Sequence, residues 1–235
     1  MVFPLYDYNP FKHATMPYAT WGLIALNIAL FVVMLATPDD QQTRVVLGYA
    51  VVPAHLTDTF TDLTIGWPEV TLLTGLFLHA GWAHLLGNMV YLWVFGDDIE
   101  EALGRLRFLA FYLLAGIAAT LVYVAFNTQS TVPMVGASGA VSGVLAAYLM
   151  LRPCAKVTVF VLRIVVRVRA YWVIGAWALL QLLGLRGNGD EGVAYIAHFG
   201  GLVAGALLFL AMRPPEVTLF ECIEHPHEVR LVRHR

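Results

Sequence analysis

No charged residue occurs between Phe108 and Leu151. A single helix needs only about 20 apolar residues to cross the hydrocarbon of a bilayer, so this run has room for two crossings and a connection. Further uncharged runs occupy 18–36 and 70–96. Charged residues make up 13% of the chain, against about a quarter in soluble domains, and the mean hydropathy is +0.72. The chain is expected to be a polytopic membrane protein. Its fold class is expected to be all-α, because backbone polar groups in lipid must be satisfied within their own segment.

Six spans are expected: 18–36, the end of 70–96, 108–126, 138–151, 170–185 and 192–212. The first stands behind a polar and aromatic lead, and Ala36-Thr37-Pro38 is a poor cleavage site, so it is expected to stay as a span rather than be removed as a signal. The connection 37–69 is too long for a structureless loop and is expected to be partly helical and interfacial. One six-helix domain is expected over 1–213, followed by a polar, mobile cytoplasmic tail over 214–235.

The distribution of Lys and Arg sets the expected orientation. With a cytoplasmic N-terminus, Lys12, Arg105, Arg107, Arg152, Lys156, Arg163, Arg167, Arg169, Arg213, Arg230, Arg233 and Arg235 fall inside. Arg44 and Arg186 alone fall outside. Arg163, Arg167 and Arg169 read as positive-inside anchors. Both termini are then cytoplasmic, and Cys154 and Cys222 lie on the reducing side, which argues against a disulfide. The two cysteines have no metal or redox spacing. The net charge of -2 gives no reason to expect a nucleic-acid partner.

Depth connects the polar residues within these spans. Ser138 stands 14 residues before Arg152, and His198 stands 15 before Arg213. At about 1.5 Å per residue both lie roughly 21–23 Å above the cytoplasmic boundary. His84 is 13 residues before Asp97 on a span running the other way, and Asn88 is one turn deeper. Four polar groups from three spans therefore share one layer. A span starting at Ser138 is short, so the segment 127–137 must dip into the membrane. Irregular backbone at that depth is tolerated only against protein or a wet cavity, which implies a hydrated pocket open to the outside.

A hydroxyl at a helix start beside a histidine at equal depth suggests nucleophilic catalysis, with Ser138 activated by His198 as base. Gly139 and Gly143 on one helix, and Gly201 and Gly205 on another, form small-xxx-small faces that let the two backbones approach. Gly136 frees the chain to turn into the helix. The Ser138 amide at the helix start, with His84 and Asn88 at i and i+4, supplies donors for an oxyanion. Each feature also has a plainer reading: a serine in a glycine-rich membrane helix packs or bonds its own turn, and His84, Asn88 and His198 can tie helices together. The shared depth weighs toward catalysis. His79 and His84 lack the glutamate of a metalloprotease helix, and no metal or other cofactor is expected. Glu221, Cys222, Glu224, His225 and His227 could in principle bind metal, but read better as tail surface. Glu100 and Glu101 read as structural partners of Arg105 and Arg107.

The stretches "FLHAGWAHLLGNM" (77–89), "FGDDIEEALGRLRFLAFYLLAG" (95–116), "GASGAVSG" (136–143) and "AHFGGLVAG" (197–205) resemble the rhomboid intramembrane serine proteases, in the family's order and spacing. The resemblance implies a six-helix rhomboid bundle with a re-entrant or interfacial outer loop. It implies a dyad of Ser138 and His198, an oxyanion hole from His84, Asn88 and the Ser138 amide, and a structural Glu100. It implies transmembrane proteins as substrates, cleaved in or near their spans, and a bacterial cell (inner) membrane as the location. Two features depart from some members. A tyrosine that stacks on the histidine is replaced at its position by Ser142, and a Trp-Arg pair in the first outer loop is absent from 37–69. An inactive relative that only binds transmembrane segments keeps the fold but loses Ser or His, and this chain keeps both. A proton-relaying transporter is disfavoured, because the halves show no inverted repeat.

Overall fold

The structure, a computed structural model, describes residues 2–8, 16–57, 67–161, 163–185 and 194–222. The chain runs β1 (Val2–Tyr8), α1 (Tyr18–Ala36), α2 (Asp39–Tyr49), α3 (Pro53–Leu56), α4 (Pro68–Thr74), a 3-10 turn (Gly75–Phe77), α5 (Trp82–Leu103), α6 (Arg105–Phe126), α7 (Ser138–Leu151), β2 (Lys156–Val161), β3 (Ile164–Arg169), α8 (Ala170–Gly184) and α9 (Tyr195–Met212). Pro53 and Pro68 stand in the first turns of α3 and α4, where a missing N–H costs no helical hydrogen bond. Gly104, at φ 78°, separates α5 from α6.

α1, α6 and α9 are long and apolar enough to cross a membrane. α4 and its 3-10 turn meet α5 at a bend of 79°, and together pass as a fourth crossing or a re-entrant pair. α7 and α8 are apolar but shorter, at 14 and 15 residues. The helix boundaries match the expected spans closely. Length and composition support three crossings among the described residues, or four where the bent pair is one span, and a count of six requires α7 and α8 to cross as well. The connection after α1 is partly helical, as α2 and α3 show.

α7 is the centre of the bundle. Every residue from Gly139 to Tyr148 is buried, so this helix has no lipid-facing side. α1 stands at the rim. Its buried residues Leu23, Asn27 and Phe31 recur every fourth position, one stripe of a helix, while Leu26, Leu30, Val33 and Leu35 are exposed as lipid-facing residues are.

A three-stranded antiparallel sheet, ordered β1-β2-β3, adds to the expected helices. Val157 pairs with Val168 and Val159 with Val166. Val157 and Val159 are fully buried, so this face closes over the end of the bundle. Arg167 and Arg169 lie in β3 rather than in a plain linker, and the Arg167 guanidinium sits 4.7 Å over the Tyr8 ring. The Tyr148 hydroxyl of α7 donates to the buried Asp7 of β1 at 2.9 Å. Arg152 and Asp98 pair at 3.6 Å at the same end.

Two expectations are corrected at this end. Cys154 and Cys222 form a disulfide with Cα atoms 5.0 Å apart, where compartment alone argued for free thiols. The start of the tail is docked rather than mobile. Phe220 N–H donates to Met150 C=O at 2.7 Å and Glu221 N–H to Leu151 C=O at 3.3 Å, so residues 220–222 run along the end of α7. Cys222 is spent in the disulfide, and Glu221 accepts from the Thr218 hydroxyl. Glu224, His225 and His227 lie outside the described residues.

Candidate active site

The approach to α7 is irregular backbone, and its polar groups find protein partners. Val51 and Met134 exchange backbone hydrogen bonds of 3.0 and 2.7 Å. Ala54 N–H reaches Ser130 C=O at 3.0 Å, and Gly136 N–H reaches Gly75 C=O at 2.9 Å. Gly136 takes φ +121°, a region closed to most side chains. A Cβ there would also lie 2.6 Å from the His84 imidazole. Glycine is therefore required twice over, for the turn and for the histidine beside it.

Ser138 is the first residue of α7. The helix's first backbone bond runs from Val141 N–H to Ala137 C=O at 2.9 Å, so the Ser138 amide precedes the ladder and is free to serve a ligand. The side chain is half-buried. Its Oγ lies 2.8 Å from His198 Nε2 of α9. The glycines make this contact possible. A Cβ on Gly201 would collide with the Gly139 carbonyl oxygen, and one on Gly205 with the Gly143 Cα. Gly139 and Gly143 in turn sit against Ala119 and Ala115 of α6, at 2.6 and 2.7 Å from a would-be Cβ to the alanine Cβ. Three helices thus meet through small residues around the serine.

His84 and Asn88 lie on one face of α5, against Gly136. The Asn88 amide nitrogen would be 3.8 Å from a Cβ at that glycine. Asn88 is 7% exposed, and among the described residues its Nδ2 has no hydrogen-bond partner. A buried donor without a partner asks for a ligand. Ala80 N–H approaches His84 Nδ1 at 3.5 Å. That contact assigns the ring hydrogen to Nε2, the nitrogen that faces Gly136. The His79 ring meets His84 edge-on at 5.1 Å. All four groups expected to share a layer are thus brought around Gly136 and Ser138.

Ser142, at the position of the expected tyrosine, turns back to donate to the Ser138 carbonyl at 2.6 Å and offers His198 no ring. An aromatic side chain comes from α8 instead. The Trp177 ring lies 5.8 Å from the His198 ring, tilted by 39°. Gln181, one turn on, places Oε1 2.7 Å from His198 Nδ1. Neither α8 residue was expected at the site. The signal was present, since Gln181 is an amide within an otherwise apolar 15-residue helix, and a polar group in apolar surroundings is costly unless it is bonded.

Glu100 does not act at this site. Its buried carboxylate accepts Ala19 N–H at 3.0 Å, Thr20 N–H at 2.7 Å and the Thr20 hydroxyl at 2.8 Å, with Arg105 Nε at 3.9 Å. Among the described residues no group of three His, Cys, Asp or Glu side chains gathers that could hold a metal ion.

A hydroxyl beside an imidazole, with several donors near the same point, is an arrangement suited to acyl transfer. Comparison with known proteins agrees in kind. A family model described as Rhomboid domain matches residues 67–215. Rhomboid protease AarA of Providencia stuartii is 29% identical over 219 residues, covering 82% of this chain and 71% of that protein. Presenilin-associated rhomboid-like protein A, mitochondrial, of Danio rerio is 37% identical over 131 residues, covering 55% of this chain and 34% of that protein. Rhomboid protease GluP of Bacillus subtilis (strain 168) is 32% identical over 133 residues, covering 57% of this chain and 24% of that protein.

Proposed function

This chain belongs to the rhomboid family of integral membrane proteins, and we propose that it is a serine endopeptidase that hydrolyses peptide bonds in or near the transmembrane segments of other membrane proteins. The observation that carries this reading is the 2.8 Å approach of His198 Nε2 to Ser138 Oγ. Protease relatives such as AarA add weight to it.

In this reading Ser138 Oγ attacks the substrate carbonyl carbon while His198 Nε2 accepts the hydroxyl proton. The carbonyl oxygen gains negative charge beside the Ser138 amide, His84 Nε2–H and the Asn88 amide NH₂. The tetrahedral intermediate collapses, and the leaving nitrogen takes its proton from His198. Water then attacks the acyl ester, with His198 again as base, and releases Ser138. Ser138 and His84 are half-buried rather than sealed, which supports access for the water that deacylation needs. No cofactor takes part.

The proposed setting is a bacterial inner membrane, with α7 and α8 completing six spans and both termini in the cytoplasm. The partners are the surrounding lipid and single-span substrates. A fluorophosphonate probe tests the chemistry: it should label the wild-type chain and leave Ser138→Ala and His198→Ala unlabelled. Equal labelling of wild type and Ser138→Ala would remove the serine from the reaction. No labelling of wild type would favour an inactive relative that only binds transmembrane segments.

A further inference from the structure

We infer that Gln181 is a positioning residue that holds His198 in the one tautomer able to act as a base toward Ser138. The inference rests on the proposed dyad and extends it to α8.

A neutral imidazole carries one hydrogen, on either nitrogen. Only the tautomer with hydrogen on Nδ1 presents a lone pair to Ser138. The hydrogen-bond partners decide which tautomer is present. Gln181 Nε2 lies 3.2 Å from the Trp177 carbonyl oxygen. A carbonyl can only accept, so that end of the amide must be the NH₂. The other end, Oε1, can also only accept, and it lies 2.7 Å from His198 Nδ1. Nδ1 must therefore carry the hydrogen. Nε2 is left with its lone pair, 2.8 Å from Ser138 Oγ. Every donor then points the same way, from the serine hydroxyl through the imidazole and the amide to a backbone carbonyl that α8 holds fixed.

Water is a poor substitute at this place. Gln181 is 8% exposed and His198 is 9% exposed. An amide placed in an apolar helix is costly unless it is bonded, and both ends of this one are. The acceptor is neutral, so it orients the ring without adding a second charge to the layer. When His198 is protonated during the reaction, its Nδ1–H keeps the same partner. The Trp177 ring packs beside the imidazole at 5.8 Å, where Ser142 offers no ring.

The test uses the full chain in detergent micelles and the fluorophosphonate probe. Gln181→Met keeps the unbranched shape and removes the strong acceptor. Gln181→Glu keeps an acceptor in either protonation state, since a neutral carboxyl can donate to Trp177 C=O and still accept from His198. Gln181→Met should lower the maximal labelling rate about 10–100-fold, by analogy with losing the hydrogen-bond partner that orients a metal-binding histidine, with the half-saturating probe concentration unchanged. Gln181→Glu should recover most of that rate. Nitrogen-15 spectra of the His198 ring should show hydrogen on Nδ1 in the wild type, and a mixture or the other tautomer in Gln181→Met. Wild-type labelling by Gln181→Met, or a loss that Gln181→Glu does not recover, would overturn the inference. So would a wild-type ring bearing its hydrogen on Nε2, a reading that needs no variant to fold. Labelling of Ser138→Ala at the wild-type rate would instead overturn the serine reading itself.

Discussion

Glu100 closes the start of α1 through Thr20. Its Oε2 accepts both the Thr20 N–H, at 2.7 Å, and the Thr20 hydroxyl, at 2.8 Å, while Oε1 takes Ala19 N–H at 3.0 Å. α1 has no cap of its own, because Pro17 stands at the N-cap and bonds no side chain there. A helix start is positive and short of acceptors, and α5 supplies the missing anion across the bundle. Glu100→Ala should lower unfolding stability by about 1.5–3 kcal/mol, the range for a hydrogen bond to a charged group. Glu100→Gln should lose less, because its one oxygen can still accept. The midpoint of thermal unfolding in detergent checks both. Wild-type midpoints would show that α1 docks without this contact.

Much of the helical frame was readable from charge alone. Arg152 and Arg213 end their helices where the chain must leave apolar surroundings, and counting back from them placed Ser138 and His198 at one level. The small residues then implied that their helices touch. Two parts of the site were harder to see. The histidine's support sits on α8, and spacing along α8 gives no sign of which neighbour Gln181 faces. Ser142 signalled that a ring was missing but not where another would come from. The sheet was also missed. "KVTVFV" and "IVVRVR" alternate as strands do, yet the arginines read equally well as anchors beside a span, and the third strand comes from the distant start of the chain. Compartment reasoning on cysteine weighed the environment and not the fold, which brings Cys154 and Cys222 together whatever surrounds them.

The contact between α7 and α9 leaves no room for a methyl group. A Cβ on Gly205 would meet the Gly143 Cα, which is backbone and cannot swing aside. Gly205→Ala should therefore push the helices apart and cost about 1–3 kcal/mol, as overpacking does. It should also slow fluorophosphonate labelling, because His198 moves with α9. Gly22→Ala and Gly175→Ala are the controls, since a Cβ at either position meets nothing within 4 Å. Both should label like wild type and unfold at the same temperature or slightly above it, as glycine is a poor helix former. If Gly205→Ala matches the controls, the helices are not held at backbone contact.

Asn88 has a buried amide nitrogen with no partner among the described residues, which suits a donor reserved for a reaction intermediate. Asn88→Ala should cut turnover about 10²–10³-fold, the effect of removing one oxyanion donor. His84→Ala should behave alike. The loss should fall on kcat and leave KM near wild type, because the donor matters most once charge has developed. A model transmembrane peptide with a fluorescent reporter on each side of the scissile region supplies both constants. A rise in KM at unchanged kcat would make Asn88 a substrate-binding residue instead.

The Cys154–Cys222 disulfide joins the end of α7 to the docked tail across a sequence separation of 68. Closing a loop of that length is worth about 4 kcal/mol in the chain-entropy view, and residues 220–222 add backbone bonds along Met150 and Leu151. Cys222→Ser, or treatment with reductant, should lower the unfolding midpoint in detergent. It should also make the tail a better target for added protease, while Ser138 labelling stays at the wild-type rate, since both cysteines lie at the opposite end of α7 from the serine. The same cysteines report the orientation. After reduction, a membrane-impermeant maleimide should reach them in inverted vesicles and not in intact spheroplasts. Modification in spheroplasts would reverse the proposed topology and place the sheet and the docked tail outside the cell membrane.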